Sequence, residues 1–391
     1  MLDARTFSHL RRNDYTQKRR TQIFSCDTPI DPRSRAAVQK PSAPTIADVA
    51  AAAGVSLATA SRALAGYGRV AAATIDRVRD AADGLGYRPN ELARSMRIGS
   101  TTTIGLVVIA DFTNAFFDRV TKSIVDTARA NGYQVIISNT DEEISVEFAA
   151  VQTMLDKQVD GILVVPSLHE NSDHLLADQV NGKPVVLLDR YTNDARLSSV
   201  TTDDRLGTRR AVDESIALGH RRLGFLISTV GVDGFTDRQP EAMISTVRER
   251  VEGFRAGAIV AGDRVLSEQW RFAQDSAEAA EGAIASMLDE PHPPTVVFCS
   301  NNDMLIASLR VIAQRGMRVG HDISIVTVDD SPWASAFSPG IAVVARPVEE
   351  VGEYAVRLLL ERIADPGHEP VTITLPTEFI ARGSLAPPPA S

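Results

Sequence analysis

Between Thr45 and Arg97 the apolar residues fall at helical spacing three times over: Ile46, Val49 and Ala50, then Val55, Ala60 and Leu64, then Ile75, Val78, Ala82 and Leu85. Helices this short are marginal alone, so three in succession must pack on one another. Thr45 with Asp48 three residues on has the form of a capping box, and Ser56 with Thr59 marks a second helix start. Between them Ala53-Gly54-Val55 allows a tight turn, because glycine tolerates the left-handed backbone such a turn needs. Helix, glycine turn, helix is the helix-turn-helix arrangement, whose second helix, here about Ser56 to Ala65, would lie in a DNA major groove with its first turns toward base edges. Leu57, Ala58 and Arg62 then point outward, with Thr45, Ser56, Thr59 and Ser61 as polar contacts beside them. Arg62 alone among them is able to pair bidentately with guanine, while Leu57 and Ala58 offer apolar contact to a thymine methyl. A small helical bundle with an incidental glycine turn would use the same pattern, and these residues by themselves leave both readings open.

The continuation LGYRPNELARSMR, from Leu85 to Arg97, separates the two. Together with GVSLATASRAL it closely resembles the lactose/galactose-repressor family of bacterial transcription regulators. The likeness runs on through TIGLVV, DFTNAFF, DGILVV, LGHRRLGF, RERVEGFRAG, PTVVFCSNND and SIVTVDD, and so covers nearly all of the chain after Thr45. The resemblance implies a hinge helix over Pro89 to Ile98 that pairs with its twin from a second subunit and enters the minor groove. Met96 stands where the family usually has a leucine that wedges between bases, and methionine is softer and longer. Arg97 would reach the minor-groove edge or a phosphate, and Asn90 and Arg94 would hold phosphates, setting register without reading sequence.

A net charge of −9 argues against nucleic acid until its distribution is considered. Residues 1–44 hold nine Lys/Arg against four Asp/Glu, and residues 45–99 hold seven against five, so the first 99 residues carry +7 and the remainder −16. An acidic body repels phosphate and favours docking through the basic end. Residues 1–44, with Arg11-Arg12, Lys18-Arg19-Arg20 and no sustained apolar period, are expected to be a disordered basic extension. No apolar run approaches the roughly 18 residues of a membrane span, and no secretory core is present. Cys26 and Cys299 are too few and too far apart to suggest a disulfide framework, which fits a reducing cytoplasm.

From Thr101 onward, strand-like runs at Ile104–Ile109, Gln134–Ser138, Gly161–Val165 and Val185–Leu188 alternate with helices near Phe116–Ala130, Ile144–Lys157 and Asp173–Val180. A second set follows, with strands at Leu223–Ile227, Thr295–Cys299 and Ser324–Val328 and helices at Arg205–Leu218, Met243–Ala256, Ser276–Leu288 and Met304–Arg315. The fold class expected is α/β, a three-helix helix-turn-helix head plus a two-lobed doubly wound parallel-sheet domain resembling periplasmic sugar-binding proteins. The expected domains are an extension at 1–44, a DNA-binding head at 45–88, a hinge helix and linker at 89–102 and an effector-binding and dimerisation domain at 103–385. By the family's pattern the chain crosses between lobes about three times; Ile341–Ala345 and the helix Val348–Ile363 return to the first lobe before Val371–Leu375 rejoins the second.

Ligands of open α/β sheets sit outside the carboxyl ends of the strands, which points to Asp111 to Phe117, Asp189-Arg190, Arg248 to Arg250, Asn301 and Asp329. Matched to the family, Phe116 and Phe117 would wall a pocket, Asp329 would accept from ligand hydroxyls, Arg250 would anchor an oxygen-rich group and Asn301 would add amide contacts. Phe272 and Trp333 are candidate stacking faces. That set suits a sugar, whereas Arg190 with Arg250 would favour an acidic or phosphorylated ligand. Each also has a structural alternative: Asp329 and Asn301 satisfying loop backbone, Asp303 capping a helix, the two phenylalanines in the core. No P-loop, no GxGxxG opening a helix, no HExxH and no GxSxG elbow occurs, and neither an enzyme nor a cofactor or metal is implied. The reading is a homodimeric, effector-controlled repressor on a near-palindromic operator, with a sugar-transport binding protein as the alternative.

Overall fold

The structure, a computed structural model, describes residues 44–65, 68–88, 100–109, 115–167, 172–192, 194–228, 244–273 and 276–389. It divides into two compact units, Met1–Pro89 and Asn90–Ser391. The expectations for residues 1–43, the hinge helix with Asn90, Arg94, Met96 and Arg97, and the segment Gly231–Glu241 lie outside the described residues.

In the first unit the helix ends are written by their caps. Helix α1 (Ile46–Ala53) opens with the complete capping box, Thr45 and Asp48 bonding each other's backbone and side chains. It closes on Gly54 at φ 63°, where Val55 N–H returns to the Ala50 carbonyl in a Schellman arrangement. Helix α2 (Leu57–Ala65) starts from Ser56, whose hydroxyl accepts from Thr59 N–H at 3.2 Å. Helix α3 (Ala72–Leu85) ends on Gly86 as α1 ends on Gly54. Val49, Ala60 and Val78 are fully buried and alanines make up most of the remaining core, so the three helices approach closely. Leu85, expected on the apolar face, is 42% exposed.

The second unit holds two sheets. The first contains β1 (Thr103–Val108), β2 (Gln134–Asn139), β3 (Gly161–Val164), β4 (Val185–Leu188), β5 (Ser198–Thr202) and β11 (Thr372–Leu375), all parallel, in the order β11-β5-β4-β3-β1-β2. Helices α4 (Ala115–Ala130) and α5 (Ile144–Asp156) connect its early strands. The second contains β6 (Arg222–Ser228), β7 (Ser267–Ala273), β8 (Val296–Cys299), β9 (Ser324–Val328), β10 (Ala342–Ala345) and β12 (Glu378–Ile380), in the order β12-β10-β9-β8-β6-β7, with only β12 antiparallel. Its helices are α6 (Asp204–Ala217), α7 (Ser245–Ala261), α8 (Ala277–Leu288), α9 (Asn302–Gln314) and the short α10 (Pro332–Ala336). Helix α11 (Val348–Ala364) returns to pack its Val351, Ala355, Val356 and Leu359 into the first lobe's core.

Two placements differ from expectation. Ile341–Ala345 belongs to the second lobe, because Val343 and Val344 bury themselves on opposite faces of that sheet. Val371–Leu375 belongs to the first, where Leu375 joins the core beneath α11 and the Thr372 hydroxyl meets Ser199 at 3.1 Å. Asp173–Val180 is not a helix but a single 3-10 turn at Asp173–Leu175. Strands β5, β7 and β12 escape the apolar signal: β5 is Ser-Ser-Val-Thr-Thr, β7 is a half-exposed edge and β12 has three residues. The chain passes between lobes three times, at Asp203, at Arg346-Pro347 and at Pro376-Thr377. Thr377 Oγ1 donates to the Asp203 carbonyl at 2.8 Å, tying the first crossing to the third.

Candidate functional site

On the head, the outward face of α2 presents Ser56, Leu57, Ala58 and Arg62, all exposed, with Leu57 at 54%, while Ala60 and Ala63 are turned to the core. Thr59 and Ser61 are half-buried, Thr59 sharing a 2.8 Å hydrogen bond with Ser56. Arg62 Nε donates to the Ala58 carbonyl at 3.1 Å, which lays the guanidinium along the helix toward its first turn. Thr45, exposed, is engaged in its capping box. A cation, an apolar patch and hydroxyl edges on the leading turns of one helix are what reading base edges needs.

In the second unit the chemistry gathers where the carboxyl ends of the two sheets face each other. Asp189, following β4, and Asp329, following β9, hold equivalent places in the two lobes, both with left-handed backbone at φ 65° and 74°. Such conformations cost energy for non-glycine residues and are held only where the surroundings over-determine them. Here both carboxylates grip Arg346 from the second crossing: Nη1 donates to Asp189 at 2.5 Å, and Nε and Nη2 to the two oxygens of Asp329 at 2.6 and 2.8 Å. The guanidinium also lies 3.7 Å from the centre of the Phe116 ring. Burial pushes the Asp189 carboxyl up despite the opposing pull of Arg346. For Arg346 burial acts downward, but Asp329, Asp189 and Asp204 outweigh it and hold the cation firmly charged.

A second buried pair lies beside the first. Arg250 Nε and Nη2 both meet Asp204 at 2.7 Å, and Nη1 donates to the Ser300 carbonyl at 2.7 Å. Asp204 is held below its ordinary range because Arg250, Arg346 and the Thr202 hydroxyl outweigh the upward effect of burial. Arg190 donates to Glu142 at 2.5 Å and to the Pro166 carbonyl at 3.2 Å. Across the lobes, Tyr191 N–H donates to Ser245 and its hydroxyl to Glu249 at 2.6 Å. Arg119 of α4 reaches the Asp330 carbonyl at 3.1 Å.

The expected pocket residues thus divide. Phe116, Arg190, Arg250 and Asp329 converge at the facing strand ends, and Phe117 packs edge-on against Phe116 at 5.2 Å within the first lobe's core. Asn301 caps α9 through Met304 N–H at 3.0 Å, the role expected of Asp303. Phe272 packs on the second lobe's core, and Trp333 sits on α10 at 36% exposed. Arg346 and Asp204 were missed. An arginine directly after an apolar strand and before Pro347 was a usable signal for the first. A separate recess of about 570 Å³ opens against Ser199, Thr201, Thr372 and Thr374, with Tyr191 and Glu249 at its rim. Among the described residues its lining offers hydroxyls and the carboxylates of Asp194, Asp203 and Glu249 but no cation, whereas the matched charges and aromatic face are in the cleft.

A three-helix head with an exposed reading helix, joined in one chain to two parallel-sheet lobes with a charged cleft, defines a ligand-controlled DNA-binding regulator. Residues 45–90 match the model of bacterial regulatory proteins of the lacI family, and residues 212–385 match a periplasmic binding protein-like domain. The HTH-type transcriptional repressor PurR of Aliivibrio salmonicida is 31% identical over 344 residues, 87% of this chain and 98% of that protein. A transcriptional regulator CelR–cellobiose complex is 29% identical with a TM-score of 0.62, over 87% of this chain and 99% of the other. The lac repressor dimer bound to operator and an anti-inducer shares the fold at a TM-score of 0.74, with 24% identity over 89% and 100% of the two chains. The chain belongs to the lacI family of bacterial regulatory proteins. It is a DNA-binding transcriptional repressor under ligand control.

Proposed function

We propose that the protein acts in the cytoplasm as a homodimer, placing two copies of α2 on the half-sites of a near-palindromic operator, with a sugar bound between the lobes as its effector. The observation that carries this reading is the pairing of one exposed reading helix per chain with an interlobe cleft whose residues come from both lobes and from a crossing segment. A single short recognition helix spans too few bases for a specific site, and twofold symmetry doubles the contact. Arg62 with Ser56, Leu57 and Ala58 reads bases; Met96 wedges between bases from the minor groove, Arg97 meets the groove edge or a phosphate, and Asn90 and Arg94 contact phosphates. Phe116, Arg190, Arg250 and Asp329 contact the effector, as the cellobiose complex of the related regulator supports for the ligand class. Ligand binding shifts lobe closure, and closure and operator affinity are reciprocally coupled. No catalytic turnover is part of this role.

A binding titration against genomic fragments, beginning with the protein's own upstream region and repeated with a panel of sugars, tests it. Specific binding that one sugar shifts is the expected result; binding that stays non-specific across all fragments sinks the reading. Arg62→Ala is expected to weaken specific operator binding by about 1–3 kcal/mol with the fold intact, and unchanged affinity removes Arg62 from the reading face.

A further inference from the structure

Building on the proposed cleft, we infer that its effector is an uncharged, hydroxyl-rich molecule rather than a phosphorylated or carboxylated one, and that Arg346, the protein's own built-in cation, sets this selectivity. Three guanidinium groups converge at the facing strand ends, those of Arg346, Arg250 and Arg190, with side chains only 3, 6 and 8% exposed. Every one is already bound by carboxylate: Arg346 by Asp189 and Asp329, Arg250 by Asp204, Arg190 by Glu142. Four carboxylates against three guanidinium groups leave this described cluster with one net negative charge. Nearby Arg248 lies 5.3 Å from the Tyr191 ring centre.

Among the described residues one guanidinium nitrogen of the three, Arg190 Nε, is buried without a partner, on a cation already paired with Glu142, so an anionic effector group could accept a hydrogen bond there but to gain a counter-cation would have to take one from its carboxylate. That strands a buried carboxylate, the costly way to break such a pair, and sets the new anion beside the stranded one where the local dielectric is low. Arg346 is the hardest to recruit. Three of its five N–H donors, one on each nitrogen, are engaged by two aspartates from opposite lobes, and one of its faces is covered by Phe116.

A hydroxyl faces no such barrier, since it both donates and accepts. Asp189 uses only Oδ1 on Arg346, leaving Oδ2 as an acceptor on that side. Arg190 Nε and Glu142 Oε2 are both buried without a hydrogen-bond partner, one donor and one acceptor at the same strand ends. A hydroxyl satisfies either; a phosphate oxygen satisfies only the donor.

The test uses matched pairs on the full chain: D-glucose with glucose 6-phosphate, and D-ribose with ribose 5-phosphate, by calorimetric titration of wild type, Asp189→Asn and Glu142→Gln. In wild type the neutral member of a pair is expected to bind at least ten-fold tighter than its phosphorylated partner. Asp189→Asn frees one arm of Arg346 and is expected to cut that ratio ten-fold or more. Glu142→Gln, at a less buried carboxylate, does the same through Arg190 should the first variant fail to fold. A phosphorylated sugar binding as tightly as its neutral partner in wild type overturns the inference while leaving the sugar-effector reading standing. Failure of every ligand to bind overturns both. A ratio unchanged in the variants removes Arg346 and Arg190 as the source of selectivity.

Discussion

His220 shows how a residue without a functional role still carries a pH signature. It is fully buried, its Nδ1 facing the Thr295 hydroxyl and its Nε2 the Ala386 carbonyl, both at 2.8 Å, so it fastens the C-terminal segment to β8. Burial lowers its pKa from 6.5, with Arg221 adding to the effect and the Ala386 carbonyl opposing it. The folded protein therefore keeps the ring neutral while the unfolded chain takes up a proton near pH 6.5. The stability it contributes is present above that pH and is lost as pH falls toward the folded-state value. Urea midpoints of wild type and His220→Gln should converge between pH 7.5 and 5.5; a gap that widens on acidification would mean the charged form is the one accommodated. Cys299 is another buried titratable group, outside the cleft. Burial pushes its thiol up to about 12, only partly offset by Ser308, so in a Cys26→Ser background no thiol should react with a disulfide reagent at pH 8 until denaturant is added.

Among the elements, α6 and α7 lie against each other because α7 carries glycine at its points of contact. A Cβ at Gly253 would sit 2.3 Å from the Arg205 carbonyl oxygen of α6, and one at Gly257 would press on Val212. Gly253→Ala must force backbone apart, so a loss of about 2 kcal/mol is expected, in the range for overpacked cores. An equilibrium unfolding curve equal to wild type would show that the helices yield freely. Legibility also varied by element. The caps Thr45, Ser56 and Gly54 are local devices, satisfied by neighbours three to five residues away, and the first two helices of the head were readable from them. Strand β5 was not readable, because its Ser and Thr side chains are buried against hydroxyls of β11, more than 170 residues distant. The role of Asn301 at α9 followed the same local logic as the other caps, and only its competition with Asp303 misled.

At the scale of the whole molecule, Arg346 is where the lobes are coupled, one lobe supplying Asp189, the other Asp329, and the crossing segment the cation. Arg346→Leu leaves two buried carboxylates facing each other, and a loss of about 3–5 kcal/mol is expected, as for breaking a buried pair by removing one partner. The same variant should change the effector response of operator binding. A thermal midpoint and effector response both equal to wild type would show that the bridge does not couple the lobes. The sequence by itself determined the helices of the head, the alternation that makes two parallel sheets and the strand ends that bear Asp189 and Asp329, because periodicity, capping and strand-end position are local properties of the chain. Tertiary structure alone decided that β11 completes the first sheet and β10 the second, and that Arg190, Arg250 and Arg346 face carboxylates rather than an open pocket. A partner across a lobe boundary is fixed by packing and charge pairing between residues far apart in the chain, 157 positions for Arg346 and Asp189, and no local pattern records it.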